Sequence, residues 1–268
     1  MKDFNPHDAI DFIFKTAPQY AKAKGELVTS LPTDGVAVLG TYDEFTPRMA
    51  DGFAGRVITF GESVECDVRA ADIEIREGSP HFDLVDGEGR VSVGMRLVGA
   101  QQIPNALGAA AAAIALGISN EHIATALSTA ENRSKWRMEL HDLPGLLIIN
   151  DAYNANPESM EAALFSLRLF AQERGGSAWA FLGKMHELGE SSSQAHLKIG
   201  TLARDLGVDH LVAIGAPEYG SNINCENWES SLEMINEIAP GDVVLVKASL
   251  AEGLERLADA LIKGWGDK

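Results

Sequence analysis

Apolar positions along the chain keep two different rhythms, and the change falls near residue 140. Before it, Gly35–Gly40 and Arg56–Phe60 are short apolar runs that read as buried strands. Alternation follows at Ile73, Ile75, Phe82 and Leu84, then at Val91, Val93, Met95 and Leu97, broken by Gly-rich turns at Glu77–Pro80 and Asp86–Gly89. Such alternation predicts an antiparallel meander with one solvated face. Two helical stretches come next, Ile103–Leu116 and Glu121–Ala130. The first lies in the most apolar part of the chain, which is too short to span a membrane and ends at Gly117 as a buried helix would.

After residue 140 the repeating unit is apolar strand, polar loop, helix. Leu146–Ile149, Ala178–Leu182, Leu211–Ile214 and Val243–Val246 each lead into a helical stretch, which predicts a mostly parallel sheet with right-handed crossovers. The fold class is therefore α/β: a mixed sheet with a meander and helices first, a Rossmann-like sheet second. Ligands of such sheets gather at the carboxyl ends of the strands, and the first loop there is Ile149–Met160, INDAYNANPESM. Asn156 suits a helix cap, Pro157 the first helical position, and Glu158 the positive end of the helix dipole. Capping leaves Asp151, Tyr153 and Asn154 unexplained. Asx turns account for any one of them alone, whereas the run as a whole reads as a site.

Composition narrows the function classes. A chain of 268 residues that is 46% hydrophobic and 23% charged can bury the cores of two modest domains. Its formal charge of −17 repels phosphate at long range, which argues against nucleic acid and anionic lipid as partners. Any phosphate-bearing ligand must then be held locally, by a metal or a few basic groups. Cys66 and Cys225 have no redox or metal-like spacing, the N-terminus is acidic where a signal peptide is basic, and no apolar run reaches membrane-spanning length. A reducing cytoplasm and no membrane partner are the expectation.

Several motifs are excluded. No G-x-G-x-x-G follows a strand and no G-x-x-x-x-G-K-S/T occurs, so the sequence shows neither a dinucleotide cradle nor a P-loop. The His186-Glu187 pair lacks the second histidine of a zinc protease helix, since position 190 is Glu. The histidines form no recognisable nucleophile–base arrangement for an unrelated phosphosugar enzyme.

Arg137-Met-Glu-Leu140, then INDAYNANPESMEAAL, a Gly-x-Met-x-Glu-Leu-Gly loop at Gly183–Gly189, and Gly241–Lys247 with Ala248-Ser249 together resemble the C-terminal half of a Mur ligase. Upstream, Ala21–Pro32, Val57–Gly61 and Asn105–Gly117 are similar to the later part of that family's central ATPase domain. The Asp-Ala-Tyr-Asn-Ala-Asn-Pro run points to the members that add D-alanyl-D-alanine; the other pieces are individually weak. The resemblance implies a truncated central domain over residues 1–136 and a Rossmann-like C-terminal domain over 137–268. It also implies an activity: ATP, with Mg²⁺, phosphorylates the carboxylate of a UDP-linked muramyl tripeptide, and the amine of D-Ala-D-Ala attacks the acyl phosphate. By the same resemblance Asp151 contacts the ribose, Arg137 the nucleotide phosphates and Asn105 the adenine, while Tyr153, Asn154 and Asn156 lie near the dipeptide. Lys24 falls at a lysine that is carbamylated in the family to help bind Mg²⁺; an ordinary solvated lysine on a helix is the alternative.

The match is incomplete. The family's UDP-sugar-binding domain and phosphate-gripping loop have no counterpart here. Gln101 and Gln102 stand where the family has His and Asn, Lys184 replaces an acid, Leu250 an arginine, and Gly40-Thr-Tyr-Asp43 an Asn-Ala-Asp-Asp motif. The expectation is a fragment or degenerate relative, inactive as an isolated chain; the alternative is a noncatalytic nucleotide- or peptide-binding regulatory module. A truncated parallel sheet leaves an open edge, so a homodimer or pairing with a missing half is expected.

Overall fold

The computed structural model describes residues 21–132 and 134–266, so what is expected of residues 1–20 lies outside them. The chain divides into two units: the first ends at Ala130, and the second comprises Glu131 onward together with Glu77–Ser79 and Leu97–Ala100.

The first unit opens on a helix, α1, described over residues 21–29. Its sheet has the order β1 (Val36–Gly40), β2 (Arg56–Gly61), β3 (Val68–Arg76), β4 (Ser79–Val85), β5 (Arg90–Gly94). β1 and β2 pair in parallel over their whole length, β3 joins β2 in parallel only at Phe60↔Val68 and Gly61↔Arg69, and β4 with β5 is antiparallel. The turns fall where expected. Glu77 and Gly78 take left-handed φ values of 50° and 75°, and the Asp86 carboxylate accepts from the amides of Glu88 and Gly89. Alternation misleads at one place. Val68 and Ala70 are buried, but Asp72 adopts φ 49°, and beyond it Ile73 and Ile75 are exposed rather than on a core face. Helix α2 (Gln102–Ala115) covers the sheet with Ile103, Ala106, Leu107, Ala110 and Ala111. Its small residues permit a close approach: a Cβ on Gly108 would stand 3.2 Å from the Phe60 ring. Helix α3 (Asn120–Thr129) follows.

The second unit is built on a six-stranded sheet of order β10-β9-β8-β11-β7-β6. Strands β7 (Leu146–Asp151), β8 (Ala178–Leu182), β9 (His210–Ile214), β10 (Ile223–Cys225) and β11 (Val243–Lys247) are parallel, and β6 (Glu139–Leu143) pairs antiparallel with β7. β7, β8 and β11 are buried at every position, because helices cover both faces. Leu147 and Ile149 pack with α4 (Pro157–Arg174) and α5 (Ser192–Asp205); Leu146 and Ile148 pack with α6 (Glu255–Gly266) and the 3₁₀ segment Ser230–Glu237. The start of α4 is capped reciprocally: Asn156 Oδ1 accepts from the Ser159 amide at 2.8 Å and Ser159 Oγ accepts from the Asn156 amide at 3.1 Å. Gly175, at φ 70°, ends it.

One expected helix is absent. After β9 the chain makes only a 3₁₀ turn, Pro217–Tyr219, because Gly215 and Gly220 take left-handed φ values of 62° and 65° on either side of it and cut the segment short. That turn seats Tyr219, fully buried, against α5 at Gly200, where an added Cβ would lie 1.8 Å from the Tyr219 carbonyl oxygen. Gly200→Ala therefore forces the helix and turn apart, with an expected loss of about 3 kcal/mol in chemical denaturation. Gly264→Ala, in α6 with open space around the new methyl, should instead gain about 0.5–1 kcal/mol.

Candidate functional site

Three strand ends meet at the carboxyl edge of the second unit's sheet. Lys247 closes β11 in register with Asp151 of β7 on one side and Leu182 of β8 on the other. The chain leaves β7 and β8 toward α4 and α5 on one face, and leaves β11 toward α6 on the opposite face. Loops that diverge in this way open a crevice.

The floor of the edge is polar and dry: Asn150, Asp151, Lys247 and Ser249 are all buried. Lys247 Nζ donates to Asp151 Oδ2 at 2.6 Å and to the Asn154 carbonyl at 2.8 Å. Asp151 Oδ1 accepts from the Met138 amide at 3.0 Å. Burial pushes the Asp151 carboxyl above the usual carboxylate range, although Lys247 and the Met138 amide pull it down. Burial likewise lowers the Lys247 ammonium against the upward pull of Asp151. In both partners desolvation outweighs attraction, as is usual for a pair withdrawn from water.

Above this floor stand the exposed groups. The Arg137 guanidinium lies 4.1 Å from the centroid of the Tyr153 ring, a cation–π contact, and the Tyr153 amide donates to the Trp136 carbonyl at 3.0 Å. Trp136 and Met138, on either side of Arg137, hold left-handed φ values of 60° and 48°. The Asn154 side chain accepts only from the neighbouring Ala155 amide, while Asn156 spends its oxygen on the helix cap.

The second rim is the loop after β8. Its Met185 amide donates to His196 Nε2 at 3.0 Å, and His196 Nδ1 donates to the Ser192 carbonyl at 2.7 Å, which fixes a neutral imidazole. Tyr219 donates its hydroxyl to the Gly183 carbonyl at 2.7 Å and packs edge-on to His196. Farther along, His186 Nε2 and Glu252 Oε1 are 2.5 Å apart, and the His186 amide donates to Ser249 Oγ at 3.0 Å. These bonds hold the β8 and β11 loops to each other.

Of the residues singled out in the sequence, the fold gathers Arg137, Asp151, Tyr153, Asn154 and Asn156 at this one edge. Lys24 and Asn105 belong to the first unit. Lys24 is exposed on α1, and the Asn105 amide group donates to Gln102 Oε1 at 3.2 Å near the start of α2. Among the described residues no three His, Cys, Asp or Glu side chains are grouped to hold a metal ion. Sequence reasoning missed Lys247, Ser249, His196 and the His186–Glu252 pair. Lys247 and Ser249 lie in the Gly241–Ser249 stretch that carried the resemblance, which assigned them no role; Lys247 also ends an otherwise apolar run, VVLVK.

Residues 136–250 match the Mur ligase glutamate ligase domain, and residues 6–113 match the Mur ligase middle domain. The chain belongs to the Mur ligase family. Among curated relatives, it is 35% identical over 273 residues to the UDP-N-acetylmuramoyl-tripeptide–D-alanyl-D-alanine ligase of Mycobacterium tuberculosis, an alignment covering 90% of this chain and 54% of that one. For the enzyme of that name from Escherichia coli the identity is 27%, covering 90% and 55%. Among solved structures, MurF from Acinetobacter baumannii superposes with a TM-score of 0.81 at 29% identity, covering 91% of this chain and 55% of that one. MurF ligase from Thermotoga maritima in complex with ADP, at 22% identity and a TM-score of 0.77 over 91% of this chain and 57% of that one, shares the fold. The chain thus spans about half the length of the Mur ligases it matches. No helix among the described residues is long and apolar enough to cross a membrane.

The buried pair makes a pH-dependent prediction. A lysine whose folded pKa is depressed weighs against folding fully below the folded value, and that penalty shrinks as the pH rises from the folded value to the ordinary lysine value of the unfolded chain. Asp151→Asn removes the compensating charge and depresses Lys247 further. The variant should be about 3–5 kcal/mol less stable than wild type at neutral pH, the deficit narrowing as the pH is raised toward the ordinary lysine range; denaturant melts across that range measure it.

Proposed function

We propose that this chain carries the closing half of an ATP-dependent ligase that joins D-alanyl-D-alanine to UDP-N-acetylmuramoyl-tripeptide, and that the 268-residue chain does not turn over by itself. The reading rests on one observation. Arg137, Tyr153, Asp151 and Asn154, drawn from two segments, share one edge at the carboxyl end of a parallel sheet. In the reaction the tripeptide carboxylate attacks the γ-phosphoryl group of ATP and ADP leaves. The dipeptide amine then adds to the acyl phosphate carbonyl, the amide forms as inorganic phosphate departs, and the amine gives up its proton.

Each residue is assigned a role that suits its chemistry. Arg137, at the exposed end of the site, offers a fixed cation to phosphate oxygens that gain charge. Asp151 Oδ1 and Oδ2 each accept one bond within the unit and keep a further lone pair for a ribose hydroxyl. Tyr153, Asn154 and the side chain of Asn156 are assigned to the dipeptide, and Asn105 to the adenine. Lys24, once carbamylated, would contribute an anionic oxygen toward Mg²⁺.

These 268 residues contain no phosphate-gripping loop, so turnover requires that component in addition, and β1, at one edge of the five-stranded sheet among the described residues, is a strand open to pairing with it. The burial of Asp151 and its internal bonds to Lys247 and the Met138 amide favour a second reading, a noncatalytic module that binds a nucleotide or peptide. Mixing the chain with ATP, Mg²⁺, UDP-muramyl tripeptide and D-Ala-D-Ala should give no amide product by mass spectrometry. Adding the N-terminal half of a related ligase should restore it, and Arg137→Ala should then lower the rate about 10²–10³-fold. Binding without product in the complemented mixture would select the noncatalytic module.

A further inference from the structure

Lys247 is the only buried lysine or arginine among the described residues. A buried ion pair contributes little net stability, since apolar side chains of similar volume pack as well or better. Its geometry serves another end. Three stretches distant in sequence converge on it: β11 through Lys247 itself, the loop after β7 through Asp151 Oδ2 and the Asn154 carbonyl, and the segment around Arg137 through Asp151 Oδ1 and the Met138 amide. The last tie is made to a residue in the left-handed region, with Trp136 in that region as well, conformations that are costly for residues other than glycine and persist only where neighbours impose them. The Tyr153 amide bond to the Trp136 carbonyl closes the circuit. Arg137 stands between the two constrained residues, and its guanidinium is brought over Tyr153.

We propose that Lys247 is a positioning residue, which acts through Asp151 to hold the Arg137 segment and the Tyr153 loop in register as a single preorganised surface for a phosphate-bearing ligand. The choice of ligand rests on the proposed function; the positioning does not.

The test is amide hydrogen exchange on the intact chain, comparing wild type with the double variant Asp151→Leu/Lys247→Met, which removes both charges together. Exchange at Met138, Tyr153 and Asn154 should accelerate at least tenfold while the amides of Ala178–Leu182 stay within twofold of wild type. A pair that only stabilised the fold would move all of them together, and unchanged exchange at Met138 would overturn the proposal. If the double variant does not fold, the wild type is titrated by NMR into the alkaline range, where Arg137 is the other charged group at the pair. The Met138 and Asn154 amide shifts should follow the loss of the Lys247 proton with one midpoint; a Met138 shift that ignores it is the contrary result. Inorganic pyrophosphate binding is measured in parallel on the folded double variant. An affinity lowered about tenfold supports the whole inference. No binding by wild type, with the exchange result intact, removes the ligand assignment and leaves the positioning role.

Discussion

Two opposite charges taken out of water at the ends of neighbouring parallel strands organise the second unit's functional edge. The Lys247–Asp151 contact is 2.6 Å long and almost entirely shielded, and each partner's proton affinity is shifted by desolvation more than by the other's attraction. An arrangement of that kind persists because every remaining donor or acceptor has a use. The second lysine proton goes to a loop carbonyl and the second carboxylate oxygen to an amide on a different segment. Strand register does the rest, since it places the last residues of β7 and β11 opposite each other.

Around that pair the fold supplies rigidity by ordinary means. Helices on both faces let β7, β8 and β11 be apolar throughout, and the one edge left for polar groups is where the strands end. The loop after β8 is braced by a neutral, doubly bonded His196 and by Tyr219, whose hydroxyl proton burial holds far above the ordinary phenol range. None of these bracing groups is exposed enough to meet a ligand, whereas Arg137 and Tyr153 are.

Much of this was legible beforehand. The apolar runs of β7, β8, β9 and β11 stood out because a strand buried on both faces leaves a pattern that propensity alone cannot mimic. The cap at Asn156 was readable because all its partners lie within three residues. β6 was not, since ELHDL is an edge strand whose pattern runs against burial, with Leu140 exposed and Glu139 and His141 half-buried. The missing helix after β9 was overlooked because glycine conformation, not hydrophobic spacing, ends it. Asp151 was singled out correctly as unexplained by the helix, but its partner is 96 residues away, and only strand order brings the two together.

The strands that make the core so dry also carry a hazard before the core exists. LLIIND, AWAFL and VVLVK are β-prone, and their parallel pairing joins residues far apart in the chain, so these segments form late during folding. A nascent chain exposing them could stack on its neighbours. The terminal aspartate of one and the terminal lysine of another are the only charges in these three segments, and they stand where a charge interrupts the stacking of such strands.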